Sequence, residues 1–369
     1  MRKKLLLLGG GHAHLHVLAH LSDYLGTNVD VTVVTPRTFW YSGMGPGLLS
    51  GLYSRGEATI DLLELVQRGS GELLDASAQS IDPICKSVVL TDGRRLHFDV
   101  LSLNVGSEIN HRLIPGYEYA VQVKPVLNLH RLHEQLEMVR PKELATVVVG
   151  GGLAGIETAA NLASLLSEYK TDWSCVLLAS EDRLAPGFPS RFSRLAQAEL
   201  ERRGITVMTN THVIDISPES VLLNSDERLE SQLTILATGV KPPEIVANSG
   251  VTVDADGAMV VSPTLQSVSH PWIFGGGDCV SLMGRNLAKA GVYAVRQSPV
   301  LRHNVRAYLT GAAMQTFKPQ KRFVLIANVS HSHAVGEWRG ITFSGKKAFW
   351  FKQWLDKQFM ARYQPRQSR

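Results

Sequence analysis

An α/β fold built on two strand–turn–helix–strand units is predicted by three observations. Leu5 to Leu8 is an apolar run that enters Gly9-Gly10-Gly11 and then a helical pattern. The same grammar returns at Gly150-Gly151-Gly152, after Thr146 to Val149. A third apolar strand ends in Gly275-Gly276-Gly277-Asp278. The chain has 369 residues, enough for two or three domains with their own cores.

In the first unit, Ala13 to Leu25 reads as a helix with Leu15, Leu18, Ala19 and Leu21 as its apolar positions. Val29 to Val34 is a β-rich second strand. In the second unit the helix is Leu153 to Leu166, apolar at Leu153, Ile156, Ala160, Ala163 and Leu166. Cys175 to Leu178 is its next strand. No short period repeats, so this is a duplicated βαβ unit and not a solenoid. Short strands follow around Thr206 to Met208, Val221 to Leu223 and Thr234 to Ala237. A helix is expected from Lys289 to Leu309. The tail has strand-like pieces from Phe323, then an aromatic and basic segment, Lys346 to Arg362.

Composition is that of a soluble globular protein. Lys plus Arg number 38 against 33 Asp plus Glu, an excess that suits anionic lipid or a phosphorylated ligand. No nucleic-acid motif accompanies it, so no nucleic-acid partner is expected. Cys85, Cys175 and Cys279 are far apart, which predicts reduced thiols without disulfide or zinc. Four leucines after Met1-Arg2-Lys3-Lys4 are too few for a signal peptide, and no run approaches the ~20 apolar residues of a spanning helix. A cytoplasmic location is expected.

Gly9-x-Gly11-x-x-His14 gives a tight turn, a close backbone approach and a helix N-terminus, the parts that hold a pyrophosphate. His14 stands where a third glycine is usual. Gly150-x-Gly152-x-x-Gly155 is complete and is followed by Glu157. Asp278, after a strand and a glycine turn, is placed to accept hydrogen bonds from ligand hydroxyls such as a ribitol. Leu236-Ala237-Thr238-Gly239 is an apolar strand that stops at a small-residue turn.

In this order the motifs resemble the two-dinucleotide flavoproteins of the pyridine nucleotide-disulfide oxidoreductase superfamily, over nearly the whole chain. Tyr41 to Gly47, Lys289 to Gln297 and Phe359 to Arg362 resemble the branch of type II NADH dehydrogenase-like proteins and the flavoprotein module fused to selenophosphate synthase. The resemblance implies two Rossmann-like domains in a glutathione-reductase-like arrangement. The expected boundaries are an FAD domain in two parts, 1–117 and 246–316, a nicotinamide domain inserted at 118–245, and a small C-terminal α+β region at 317–369.

The resemblance implies FAD and NADH or NADPH as cofactors, with no metal. The cofactor-binding set is Gly9, Gly11, His12, Ala13, His14, Thr35, Arg37, Gly106, Gly150, Gly152, Gly155, Ser180, Gly239, Gly277, Asp278 and Tyr293. Glu157, Lys289 and Gln297 form the catalytic set. Hydride transfer from nicotinamide to flavin requires the two rings stacked in near-attack geometry. Disulfide reductases carry a CxxxxC pair after the second strand; here Thr38 to Gly47 has no cysteine. Electrons are therefore expected to leave the flavin without a protein dithiol. Sulfide:quinone reductases also need paired cysteines, which are missing beside the second glycine loop. Thr35 stands where an acidic ribose ligand is usual, and Ala179 to Arg183 leaves NADH and NADPH both open.

A quinone is the expected acceptor, held by Gln297 or Tyr293, which with Lys289 fall four apart on one helix face. Trp350, Phe351, Trp354, Leu355 and Phe359 form an apolar face beside Lys346, Lys347, Lys352, Lys357 and Arg362. Trp350 to Arg362 is thus expected to lie on an anionic membrane surface at the inner face of the cell membrane; a helix docked on its own core or in a homodimer is the other reading. His12, His16 and His20 share a helical spacing that can bind metal, but read better as histidines beside the FAD loop. His331 and His333 read as structural residues on a strand. Two other functions stay open: a soluble NAD(P)H-dependent reductase of a selenium or sulfur species, and a non-catalytic nucleotide or redox sensor.

Overall fold

A computed structural model describes residues 2–24, 28–110, 114–320 and 322–364. Met1 and Leu25, which belong to the expected start and first helix, lie outside the described residues.

The chain opens with β1 (Lys3–Leu8), α1 (His12–Leu18), β2 (Val29–Val34), α2 (Gly45–Leu49), β3 (Glu72–Leu74) and β4 (Val100–Leu103). The second unit holds β5 (Val121–Gln122), α3 (Leu127–Val139), β6 (Glu143–Val149), α4 (Leu153–Glu168), β7 (Asp172–Leu178), α5 (Ser190–Glu201), β8 (Ile205–Met208) and β9 (Leu233–Leu236). Strand β10 (Ile273–Gly275) and helix α6 (Gly291–Thr310) follow. The end of the chain is β11 (Leu325–Asn328), β12 (Ala334–Trp338), β13 (Ile341–Gly345) and α7 (Lys346–Met360).

Two parallel sheets result. The first has the order β10-β4-β1-β2-β3, the second β5-β9-β6-β7-β8. The central strands β1 and β6 are covered on both faces, which is why they read as continuous apolar runs. Each sheet has its own core. The C-terminal region joins them: Ala327, Val329 and Val335 pack in the second core, and Phe359 and Met360 in the first.

Several local expectations are corrected. Helix α1 stops at Leu18 and a short 3-10 turn, Leu21–Tyr24, replaces its second half. His20 therefore lies beyond the helix, and no group of three or more metal-ligand side chains forms among the described residues. Lys289 precedes α6, so it does not share a helix face with Tyr293 and Gln297. His331 and His333 sit in the turn between β11 and β12, not on a strand. On α7, Phe359 and Lys352 are buried while Trp350, Phe351 and Trp354 are exposed. The expected single apolar face is thus split: one side docks on the protein and the other meets solvent.

Candidate active site

The first glycine loop is clamped by a residue from the neighbouring strand end. Gly9 has φ +84, and a Cβ there would stand 2.3 Å from the Asn104 carbonyl oxygen. Asn104 Oδ1 accepts from the amides of Ala13 at 2.9 Å and His14 at 3.1 Å. Its Nδ2 donates to the Gly276 carbonyl at 2.7 Å, joining the first and third glycine turns. A Cβ on Gly11 would meet Asn104 Oδ1 at 2.6 Å, so this loop also needs its glycine for close approach.

His14 is fully buried and takes over the third glycine's place by hydrogen bonding. Its Nδ1 lies 2.5 Å from the Gly9 carbonyl and its Nε2 2.8 Å from Ser102 Oγ. A carbonyl only accepts, so Nδ1 carries the proton and Nε2 accepts from the serine. Burial lowers the imidazole to about 4, against a smaller upward pull from Gly9, and keeps it neutral. The second loop takes the opposite solution. There a Cβ on Gly155 would lie 1.7 Å from the Gly150 carbonyl oxygen, and nothing larger than glycine fits.

Asp278 sits in an electropositive corner. Ser107 Oγ donates to its Oδ2 at 2.6 Å, and Lys124 Nζ lies 3.1 Å from the same oxygen and 2.6 Å from Ser107 Oγ. Burial works to raise this carboxyl, but Lys124 and Ser107 outweigh it and hold it below its ordinary range. Gly277 has φ +79, and Gln297 Oε1 accepts its amide at 2.7 Å. Gln297 is buried and braces the turn. Lys289 Nζ donates to the Val280 carbonyl at 3.0 Å, and Tyr293 Oη to that of Gln320 at 3.4 Å. Lys289, Tyr293, Gln297, Gly277 and Asp278 nevertheless line one small cavity of about 50 Å³.

Thr35 is buried behind the loop, where a Cβ on Gly10 would touch its hydroxyl at 2.9 Å. Arg37 is exposed and paired with Asp61 at 2.6 Å. Gly106 has φ +74, with open space where a Cβ would stand. His12 opens α1 among the rings of Phe39 at 5.0 Å, Tyr41 at 5.6 Å and Phe359 at 5.8 Å. Burial lowers it to about 4, with Asp278 pulling up and Lys124 down. These groups fit a flavin dinucleotide. An ionised Asp278 is able to accept hydrogen bonds from hydroxyls such as those of a ribitol, and the glycine-lined start of α1 is of the kind that can take a pyrophosphate.

In the second unit Gly150 has φ +129, and a Cβ there would meet the Ala237 carbonyl at 2.4 Å. At Gly152, which precedes α4, and at Gly239, which follows β9, a Cβ would stand in open space. Ser180 is exposed at the end of β7. Arg183 turns back onto its own loop and the start of α5, donating to Pro186 O at 2.6 Å, Ser193 Oγ at 2.8 Å and Phe188 O at 2.9 Å.

Glu157 belongs to a buried network that the sequence does not announce. Its Oε1 accepts the Asn328 amide at 2.9 Å and lies 3.9 Å from Lys352 Nζ. Lys352 donates to Asp356 Oδ2 at 2.9 Å and to the Gly43 carbonyl at 2.8 Å. Tyr41 and Tyr53 donate to the two oxygens of Asp356 at 3.3 and 3.2 Å. Burial raises Glu157 to about 7, opposed by Lys352 and the Asn328 amide. Lys352 is held above its ordinary value because Asp356 and Glu157 outweigh its burial.

Sequence reasoning missed Asn104, Ser107, Lys124, Lys352 and Asp356 as site residues. Only Lys352 and Asp356 carry a local signal, opposite charges four apart on a helix. The others are brought in from strand ends and loops distant in sequence.

The family described as pyridine nucleotide-disulphide oxidoreductase matches residues 3–304. Over 388 aligned positions the chain is 25% identical to a type II NADH:quinone oxidoreductase of Staphylococcus saprophyticus, covering 96% of this chain and 94% of that one. Its fold is similar to that of NDH2 from Plasmodium falciparum in complex with NADH, with a TM-score of 0.83 at 17% identity over 98% and 97% of the two chains. It is also similar to the sulfide:quinone oxidoreductase of Aquifex aeolicus, with a TM-score of 0.81 at 20% identity over 98% and 91%.

Proposed function

The chain belongs to the pyridine nucleotide-disulphide oxidoreductase family, as an FAD-dependent enzyme using a nicotinamide nucleotide, and on that premise we propose that it oxidises NADH and reduces a quinone. The carrying observation is the segment after β2, where a redox dithiol would stand. It holds Tyr41 and Gly43 instead of cysteines, and α7 closes over it through Lys352 and Asp356. Cys175 and Cys279 are buried and free, and Cys85 is exposed and free. The full-length likeness to a type II NADH:quinone oxidoreductase supports the same acceptor.

Bound FAD supplies two-electron redox chemistry. The chain's residues do the rest. The Gly9 loop and Asp278 bind and orient the cofactor, and Lys124 keeps Asp278 ionised. Gly150, Gly152 and Gly155 hold the nicotinamide nucleotide. Glu157, raised to about 7, exchanges a proton near neutral pH, with Lys352 and Asp356 holding it in place. NADH is favoured over NADPH because Arg183 is already spent on two carbonyls of its own loop and on Ser193 Oγ of α5, next to the exposed Glu181 and Asp182.

Among the described residues no helix is long and apolar enough to cross a membrane. Trp350, Phe351 and Trp354 stand exposed on α7 beside Lys346 and Lys347, a surface suited to anionic lipid. Anaerobic titration tests the proposal. NADH should bleach the yellow protein faster than NADPH, and a short-chain quinone should restore the colour. Reoxidation by a persulfide or selenium compound, with none by quinones, would overturn the assignment of the acceptor.

A further inference from the structure

A second pocket, of about 430 Å³, opens far along α4 from Glu157. Its walls are Ser164 and Ser167 of α4, Arg202 and Arg203 beyond the end of α5, and the turn at Ser330, His331 and Ser332. Among the described residues no carboxylate lines it. The volume lies in the range of pockets that take small metabolites.

The donors there are out of balance with the acceptors. Arg203 Nε, a donor, and His331 Nε2, a donor in the Nε2–H tautomer, are both buried and have no hydrogen-bond partner. Glu199 takes Arg202 at 2.6 Å but stays 3.8 Å from Arg203, outside hydrogen-bond reach. Ser167 Oγ accepts from Trp173 Nε1, and Ser330 Oγ from the amides of Ser332 and His333, so both hydroxyl protons remain to be donated. Burial lowers both Arg203 and His331; Arg202 and Arg203 add to this from within the pocket, and Glu199 and Glu168 oppose it only in part. Buried donors left unpaired are costly, and a multivalent oxyanion would satisfy several at once.

We propose that this pocket binds a phosphoryl dianion, from free phosphate or a small phosphomonoester, between the Arg203 guanidinium and the His331 imidazole. The serine hydroxyls complete its shell. A guanidinium offers a planar fork of donors that matches phosphate oxygens. The site also reaches the network around Glu157: Ser330 N donates to Asn328 Oδ1 at 3.0 Å, and the Asn328 amide donates to Glu157. Occupancy therefore braces the turn that holds Glu157.

The test uses the FAD-loaded protein with saturating NAD⁺, so that the glycine loops are already filled. Calorimetry with inorganic phosphate and with glycerol phosphate should show binding in the millimolar range or tighter. Arg203→Gln and His331→Gln should each weaken it about tenfold or more, while Arg228→Gln, at an exposed position that does not line the pocket, should not. Tighter binding of glycerol phosphate assigns the site to an ester; equal binding assigns it to free phosphate. No heat from either anion, or binding that survives both substitutions, overturns the proposal. The flavin spectrum and melting curve of each variant report its folding, and His331→Gln alone decides the matter if Arg203→Gln does not fold.

Discussion

Lys352 Nζ, on the last helix of the chain, stands 3.9 Å from Glu157 Oε1, on the helix that follows the second glycine loop. Both side chains are nearly closed to solvent, at 10% and 14% exposure, so their attraction is weakly screened. The pair ties the C-terminal region to the second βαβ unit, and Tyr41 and Tyr53 tie it on to the first through Asp356.

Glu157 should give stability a pH slope. Its folded-state value, about 7, exceeds the ordinary 4.5, so the folded chain holds this proton more tightly than the unfolded one. The stabilisation is complete below 4.5 and is lost as pH rises to about 7. The loss is on the order of 3 kcal/mol. Glu157→Gln should flatten the slope, read as denaturation midpoints across this range; an unchanged slope would place its source elsewhere.

Asp356→Asn should loosen α7. It leaves the Lys352 ammonium buried with a weaker partner and removes the acceptor charge facing Tyr41 and Tyr53. The cost is about 3–5 kcal/mol, as for other buried pairs broken on one side. Hydrogen exchange across 346–360 should quicken and the melting temperature should fall.

Lys124→Gln should weaken FAD retention. Without the ammonium, burial drives the Asp278 carboxyl upward and removes its full charge as a ribitol acceptor. A loss of about 10–100-fold in affinity is expected, since bonds to charged groups are worth roughly 1.5–3 kcal/mol. Dialysis against flavin-free buffer, followed by the visible spectrum, measures it.

Gly155→Ala should separate the two nucleotide sites. The new Cβ would meet the Gly150 carbonyl at 1.7 Å and force α4 away from its loop. FAD should remain bound, while flavin reduction by NADH should slow by about 100-fold or more, the effect of misplacing a reactant by an ångström. An unimpaired reduction rate would mean that the Gly150 loop does not hold the nucleotide.

His14→Ala should be destabilising although it moves the loop toward a smaller residue. It strands the Gly9 carbonyl and the Ser102 hydroxyl and leaves a hole where a fully buried ring stood. About 3 kcal/mol is expected, seen as a lower melting temperature of the FAD-loaded protein.

Both βαβ units, their glycine turns, the Asp278 turn and the absence of a dithiol were legible in the sequence. Apolar periodicity is local, and so is part of the steric demand: Gly155 is dictated by the Gly150 carbonyl within a loop only six residues long. Boundaries were less legible. The second half of the first expected helix became a 3-10 turn, and Lys289 fell outside α6, because tertiary packing overrides weak local preference.

The sequence by itself determined that two glycine loops, each between a strand and a helix, exist and that no cysteine pair stands beside the first. Tertiary structure alone decided that Asn104 clamps the first loop, that Lys124 charges the Asp278 corner and that Lys352 and Asp356 lock Glu157. It also turned α7 so that Phe359 packs inward and Trp350 and Trp354 face out. These partners are far apart in the chain: Lys352 and Glu157 are separated by 195 positions in the numbering. A loop's turn-forming glycines are written in its own residues. The protonation of a buried carboxyl is set by whichever charge the fold carries to it, and no local pattern records that.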